Sequence, residues 1–386
     1  MKTTILLHVA FLLVLSGALS HCCGQLKNKN ALEGPVEAHS RFPSVELFTG
    51  GRNNVSQYAI PSLVTTRKGT LIAVCDARVD KPGDAPNNID LVMKRSFDNG
   101  KSWTAQKTIV DFPGNDAAAD ASMVVDEQTG VIWLAYDYAM VDPQGQLGRI
   151  IRIHIIKSSD DGATWSKPVD ISYLTRGRSF WLQNAPGRGL YTKGDVIIFP
   201  MYTISGDFNH PKQKQTVLII SKDHGRSWSM SNGVGDNNVE AQVASLSGGG
   251  IIVNMRRPDG EGYRQIATTK DLGQSWSEVY TDSALIEPGC QGSMINDQIQ
   301  GKPFLLFSVP DDKKYRRNLV LHLSNDEGKT WYKKLSIYKR NGTYSAAYSC
   351  LTTLPDGNVG ILYEADTRKR IVFTQIPLQD ILSGKK

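Results

Sequence analysis

Short apolar runs alternate with polar, glycine-containing turns along almost the whole chain. Residues 70–75, 131–135, 196–200, 217–220, 251–254, 304–307 and 359–363 are brief runs dominated by Val, Ile, Leu and Phe. In 90–95 the run Leu91-Val92-Met93 is bracketed by charged residues. Runs of this length suit buried β-strands, and the glycine-rich punctuation between them suits hairpin turns. A 3.6-residue apolar period is not sustained anywhere beyond the N-terminal segment; only 378–382 reads as a short helix. The pattern predicts an all-β protein.

A longer period is laid over this one. The octet Ser96-Phe97-Asp98-Asn99-Gly100-Lys101-Ser102-Trp103 returns in related form from Ser158, Ser221, Thr269 and Ser324. The shared form is Ser/Thr-x-Asp-x-Gly-x-Ser/Thr-Trp, an Asp-box. Its aspartates, Asp98, Asp160, Asp223, Asp271 and Asp326, recur at roughly 50–60 residues, the length of a four-stranded propeller blade with its loops. Asp can close a turn onto backbone N–H groups. Gly supplies the positive φ such a turn needs. Trp supplies a large apolar anchor. Of the 7 tryptophans, Trp103, Trp165, Trp228, Trp276 and Trp331 occupy this one position, so the repeat is structural in origin. Radial repetition of four-stranded sheets is the architecture that fits, and a six-bladed β-propeller is expected. The boxes speak to the fold; a calcium-binding or catalytic reading of their aspartates is not favoured.

Composition changes this picture little. A formal charge of +6, from 44 basic and 38 acidic residues, comes without a long basic run, so no nucleic-acid partner is expected. The N-terminus adds more. Met1-Lys2, an apolar run over 5–19 and the small residues of Ala18-Leu19-Ser20 read as a secretory signal peptide. The run is short for a membrane span, and no other segment is long and apolar enough, so no stable membrane insertion is expected. The expected organisation is a signal peptide over 1–20, a leader over 21–40, the propeller over 41–377 and a tail over 378–386. The expected location is extracellular, with a lumen of the secretory pathway or the lysosome as the alternative. Asn54-Val55-Ser56 and Asn341-Gly342-Thr343 are then candidate glycan sites. The cysteines, Cys22, Cys23, Cys75, Cys290 and Cys350, are odd in number and scattered, which is neither a disulfide framework nor a zinc pattern. Cys75, inside an apolar run, reads as core.

Five further motifs carry a resemblance to the exo-α-sialidase (neuraminidase) family, over about 41–376. They are Tyr58-Ala59-Ile60-Pro61, Asp76-Ala77-Arg78 with Gly83-Asp84-Ala85, Glu240-Ala241-Gln242-Val243 with Asn254-Met255-Arg256, Arg316-Arg317-Asn318-Leu319, and Ala347-Tyr348-Ser349-Cys350 with Leu362-Tyr363-Glu364. The resemblance implies a retaining glycoside hydrolase in which Asp84 is the acid/base, Tyr348 the nucleophile and Glu240 its proton acceptor. It implies that Arg256 and Arg317 bind the substrate carboxylate, with Arg257 and Arg316 as the alternatives one residue away. Arg78 and Asp120 would lie near the sugar's 4-position. Position 59 is where the family keeps a third carboxylate-binding arginine and this chain has Ala59. Glu364 would ordinarily steady that arginine and is therefore expected to lack its partner. Cys350 stands where the family usually has Asp.

The implied set is chemically coherent. Guanidinium groups bind a carboxylate through charge-assisted, often bidentate hydrogen bonds. A neutral phenol is not repelled by that carboxylate as an anionic nucleophile would be, and sialidases depart from the two-carboxylate rule in this way. Neither metal nor organic cofactor is called for. The implied partners are sialylated glycans of glycoproteins, glycolipids or oligosaccharides, and a monomer is expected. Ala59 leaves three other readings open: impaired turnover, with Arg52 or another base compensating; a sialic-acid-binding lectin without turnover; and a (possibly intramolecular) trans-sialidase. Sequence alone does not separate a natural Ala59 from a deliberate replacement.

Overall fold

The structure is a computed structural model, and it describes residues 39–383 apart from 142–146, 208–209, 300–301, 341 and 343. The expected signal peptide, Cys22, Cys23 and Asn341 lie outside the described residues; Asn54 is exposed on a turn. Strands dominate, accompanied by a 3-10 turn over Ser172–Thr175 and a C-terminal α-helix over Leu378–Ser383, where the sequence predicts one.

Each apolar run becomes a strand, and the strands pair antiparallel with their chain neighbours. The first antiparallel run holds Gln57–Thr65, Leu71–Arg78, Ile89–Ser96 and Lys107–Val110. Equivalent runs start at Ala117–Val125, Phe180–Asn184, Val239–Ser245, Ser293–Ile299 and Ala346–Thr353. Hydrogen bonding joins the described strands into five sheets. The largest, of nine strands, contains the first two runs, linked by the single parallel pair Ile89↔Ala117. Opening strands of successive runs touch: Gln57–Thr65 meets Ala117–Val125 on one side and Ala346–Thr353 on the other. The last run, Ala346–Thr353, Val359–Ala365 and Arg370–Ile376, is completed by Ser44–Thr49 from the other end of the chain. This is a propeller arrangement, and its core lies between neighbouring sheets. Cys75 and Val92 of the first run, for example, pack with Leu362 and Phe373 of the last.

The Asp-boxes occupy the connections between third and fourth strands. In the first, Ser96 Oγ donates to Asp98 Oδ1 (2.8 Å), Gly100 N donates to Ser96 Oγ (2.8 Å) and Ser102 donates to Asp98 from both N (2.9 Å) and Oγ (2.6 Å). The four other boxes repeat these bonds. So many donors hold Asp98, Asp160, Asp223 and Asp271 ionised, at about 2. Trp103 then packs edge-on against Phe373 of the last run, at 5.3 Å between centroids.

At the opposite ends of these sheets the opening strands carry bulges. Register shifts fall between Ala59 and Ser62, Ala119 and Ser122, Val239 and Gln242, and Ala346 and Ser349, each near the start of its strand. Three bulges hold a non-glycine residue in the left-handed region: Ile60 (φ 59°), Asp120 (φ 59°) and Glu240 (φ 42°). A bulge breaks the in–out alternation and re-aims a side chain. Strain of about 1–3 kcal/mol at each such residue is tolerated only where the surroundings over-determine it.

The box turns make a direct stability test. A Cβ at Gly100 would lie 2.1 Å from Phe373 Cε1 at φ +84°, whereas one at Gly51 (φ +82°) meets nothing within 4 Å. Gly51→Ala is expected to cost about 1–2 kcal/mol from backbone conformation alone, and Gly100→Ala roughly 1–3 kcal/mol more from overpacking. Urea unfolding of the two variants checks the difference; equal destabilisation would contradict the packing assigned to the first box.

Candidate active site

Tyr348 is the centre of the site. It lies in the bulged strand Ala346–Thr353 and is 5% exposed. Its hydroxyl donates to Glu240 Oε1 at 2.7 Å and accepts from Arg256 Nη1 at 2.7 Å. The same Arg256 nitrogen is paired with Glu240 Oε2. Burial first, and the Glu240 charge second, push the Tyr348 phenol well above its ordinary range, so it stays neutral. Val239–Ser245 carries Glu240 in its bulge, and Ile251–Arg256 ends on Arg256; the two strands pair at Val239↔Arg256. Arg257 points elsewhere, to Asp259 and Glu261. Ser349 N, hydrogen-bonded to the buried Gln291 Oε1 (3.0 Å), fixes the strand behind the phenol. Cys350 Sγ accepts from Leu63 N at 3.2 Å, so it ties this strand to the neighbouring run.

The register at the paired arginines differs from the expectation. Arg317 is turned away from Tyr348: its Nε donates to Asp312 Oδ2 at 2.6 Å, and its side chain is 37% exposed. Arg316 takes its place, with Cζ 5.4 Å from the centre of the Tyr348 ring and Nη2 donating to Gly289 O at 3.0 Å. The reason is local. Arg317 N bonds to Tyr315 O and Asn318 is left-handed (φ 57°), so the alternation of Leu319–Ser324 cannot be counted back through this turn.

The Ala59 neighbourhood also departs from the expectation. Ala59 is fully buried and packs with Ile60, Cys290, Ala347 and Tyr348. Glu364, also fully buried, is not left without a partner. Its Oε1 accepts from Ile60 N at 2.9 Å, and its Oε2 accepts from Tyr344 Oη at 3.2 Å and lies 3.3 Å from Arg368 Nε. Arg52 does not approach this cluster; it is exposed and lies within electrostatic range of Glu46.

A carboxylate group faces the arginines. Arg78, at the end of Leu71–Arg78, is buried, and its Nη2 donates to Asp84 Oδ1 at 2.5 Å. Asp84 sits on the following loop with its side chain 80% exposed. Asp120 N donates to Asp76 Oδ1 (3.2 Å), and Asn184 bridges Asp120 O (2.6 Å) and Asp137 Oδ1 (2.8 Å). Asp120 is pushed up to about 7, by burial first and then by the Glu240 and Asp84 charges. Burial, with Asp120 beside them, raises Asp76 and Asp137 well above the carboxylate range. On the other side Tyr202, Ile204, Val239 and Trp181 form an apolar wall.

The structure thus brings Asp84, Arg78, Asp120, Glu240, Arg256, Tyr348 and Glu364 to one side of the propeller around Ala59, and does not bring Arg317. Sequence reasoning passed over Arg368, Tyr202 and Cys290 in this role. Tyr344, four residues before Tyr348, was the alternative to it and lacks the motif that follows Tyr348; Arg368 gave no signal, since it lies in a polar turn among Lys369 and Arg370.

The chain is similar to known proteins over most of its length. The BNR repeat-like domain family matches residues 61–361. A sialidase of Bacteroides fragilis is 33% identical over 86% of this chain and 64% of its own length; one of Micromonospora viridifaciens is 31% identical over 93% and 58%. This chain therefore spans about three-fifths of the length of those two relatives. Among solved structures, the Hadza microbial sialidase Hz136 superimposes with a TM-score of 0.76 at 30% identity, covering 89% of this chain and 68% of that one. With its strand runs, its box turns and this match across most of the propeller, the chain belongs to the BNR repeat-like domain family.

Proposed function

We propose that the protein is a retaining exo-α-sialidase that releases terminal sialic acid from glycoproteins, glycolipids or oligosaccharides, and that its propeller has six blades, the first two joined in the nine-stranded sheet. One observation carries the activity: a buried, neutral phenol hydrogen-bonded at 2.7 Å to both a glutamate and a guanidinium, with a second guanidinium over its ring. The sialidase names of the curated relatives support the same substrate class. The N-terminal apolar run supports export of the enzyme.

In the proposed reaction Arg256 and Arg316 hold the substrate carboxylate. Tyr348 Oη attacks the anomeric carbon as its proton passes to Glu240, and the bond from that carbon to the aglycone oxygen breaks. Asp84 donates a proton to the departing oxygen. In the second half Asp84 takes a proton from water, which attacks the same carbon, and the tyrosine oxygen leaves and recovers its proton from Glu240. Two displacements give net retention. The exposure of Asp84 on its loop, beside Arg78, supports a role as an acid serving both water and leaving group. The lectin reading rests on a site weakened by Ala59; the pairing of Glu364 with Arg368 supports the enzyme reading instead.

Three outcomes test this reading. The protein should hydrolyse a fluorogenic aryl α-sialoside, and Tyr348→Phe should lower kcat by about 10³-fold or more. Asp84→Asn should cost roughly 10²–10⁴-fold on sialyllactose and less on the aryl substrate, whose leaving group needs little protonation. Binding of sialyllactose with no turnover of either substrate would leave a lectin. Arg316→Ala should lower kcat/KM by roughly 30- to several-thousand-fold, the cost of truncating one partner of a buried charge pair. Arg317→Ala should stay within a few-fold of the parent, and the reverse order would restore the other register.

A separate prediction concerns the charge of Asp120 and pH. A carboxyl raised in the folded protein keeps its proton while the unfolded chain loses one, so stability falls as pH climbs from about 4 toward the folded value. For Asp120 that value is about 7. Asp120→Asn does not titrate, so its Tm should gain on the parent's between about pH 4 and 7, by at least about 2 °C, and hold a constant difference above. A difference that stays flat through this window would show Asp120 ionised in the fold.

A further inference from the structure

We infer that Arg368 is a third carboxylate-binding residue, replacing from another segment the guanidinium absent at position 59. This inference rests on the sialidase reading above. Its first support is the charge on Glu364. That carboxylate is fully buried, and an unpaired buried charge is strongly destabilising. Arg368 supplies the partner at 3.3 Å, and its Nε also donates to Tyr344 Oη at 2.9 Å. Glu364 first, with Tyr344 and Tyr348 further on, holds the Arg368 guanidinium charged.

The second support is position. Arg368 Cζ lies 5.9 Å from the centre of the Tyr348 ring, beside 5.9 Å for Arg256 and 5.4 Å for Arg316. Three guanidinium groups therefore surround one phenol. Arg368 contacts Tyr344 and Glu364 through Nε, and among the described residues its terminal nitrogens donate no hydrogen bond, so both are available to an anion. Arg368 also faces open space: with Gln57, Pro82, Gly83, Tyr344 and Thr367 it lines a cavity of ≈ 390 Å³, on the side where the loop of Asp84 stands.

The third support is the backbone that delivers it. Asp366, Thr367 and Arg368 are consecutively left-handed, at φ 52°, 59° and 59°. Such a run of non-glycine residues is costly and persists only when anchored. The anchors are present: Asp366 Oδ1 accepts from Tyr338 Oη (2.7 Å) and pairs with Arg340, Asp366 N donates to Ser345 O (2.9 Å), Thr367 Oγ1 donates to Tyr344 O (3.1 Å), and Gly50 N donates to Lys369 O (2.8 Å). Ala59, with no side chain beyond Cβ, leaves the space beside Glu364 to a guanidinium arriving from this turn.

The test uses the full-length protein with an unsaturated sialic acid analogue and its methyl ester, which differ only in the carboxylate charge. The parent should prefer the acid. Arg368→Ala should lose at least about tenfold of that acid-over-ester preference and lower kcat/KM on the aryl sialoside by about 30-fold or more. Adding Ala59→Arg to Arg368→Ala should restore at least about tenfold, whereas Ala59→Arg alone should not improve on the parent, because both guanidinium groups would compete for Glu364. Arg368→Lys keeps the charge beside Glu364 without the planar fork, and should fall between the two if Arg368→Ala folds poorly. A role confined to neutralising Glu364 would weaken acid and ester alike, so an unchanged preference in the folded Arg368 variants overturns the assignment. A parent that neither binds nor turns over any of these compounds overturns the sialidase reading and this inference with it.

Discussion

Charge balance in a buried pocket is the constraint on which the site depends. Three guanidinium groups packed around one aromatic ring repel each other strongly where water is scarce. Glu240 offsets Arg256 and Glu364 offsets Arg368, while Arg316 has a backbone carbonyl, Gly289 O, as its hydrogen-bond partner. The cluster is therefore one negative charge short on its arginine side. A ligand bringing a single carboxylate completes it, and a second anionic side chain beneath that ligand would overfill it. This is why a phenol suits the central position: Tyr348 is held neutral by the same burial that strengthens its hydrogen bond to Glu240.

The fold makes such a cluster possible by separating rigid ends from strained ones. At one end of the sheets the Asp-boxes close each turn with four hydrogen bonds and pin the sheet against its neighbours through tryptophan. At the other, bulges turn Ile60, Asp120 and Glu240 out of strand alternation. Ile60 offers its N–H to Glu364, Glu240 takes its place beside the phenol, and Asp120 lies within electrostatic range of Glu240 and Asp84. Strain at one end is sustained because the other leaves the strands little freedom to relax. The raised carboxyls of Asp76, Asp120 and Asp137 belong to the same scheme, since protonation lets three acids share a small volume without a cation for each.

Much of this was legible in the sequence, for identifiable reasons. The box repeat fixes which residues form turns, and its spacing fixes which apolar runs belong to one sheet. Strands end later than their apolar runs: 70–75 extends through Asp76, Ala77 and Arg78, so the polar continuation marks where the site begins. What the resemblance did not carry was the local backbone. Arg317 was favoured over Arg316 by its match to the family motif, and the tight turn at Tyr315–Arg317 with the left-handed Asn318 presents Arg316 to the Tyr348 ring instead. The fate of Glu364 was misread for a different reason. Its partner was sought at the position that normally supplies it, and a residue four places further along the chain was invisible because its contact depends on three consecutive left-handed residues.

That failure bears on how an arginine can move within a scaffold. The demand comes from Glu364, whose carboxylate is held in place by Ile60 N whether or not position 59 carries charge. A guanidinium that reaches Oε2 meets that demand; one route runs along the bulge from position 59, and a second comes from the turn after Ala365, where Arg368 sits. The second route passes Tyr344, whose hydroxyl bonds to both Glu364 and Arg368 and so fixes the guanidinium relative to the carboxylate. It also brings the cation in from the rim, nearer the loop of Asp84 than the floor. A carboxylate gripped from that side would be drawn toward the acid as well as the phenol, so the relocated arginine changes the direction from which the substrate is held while leaving the charge balance intact.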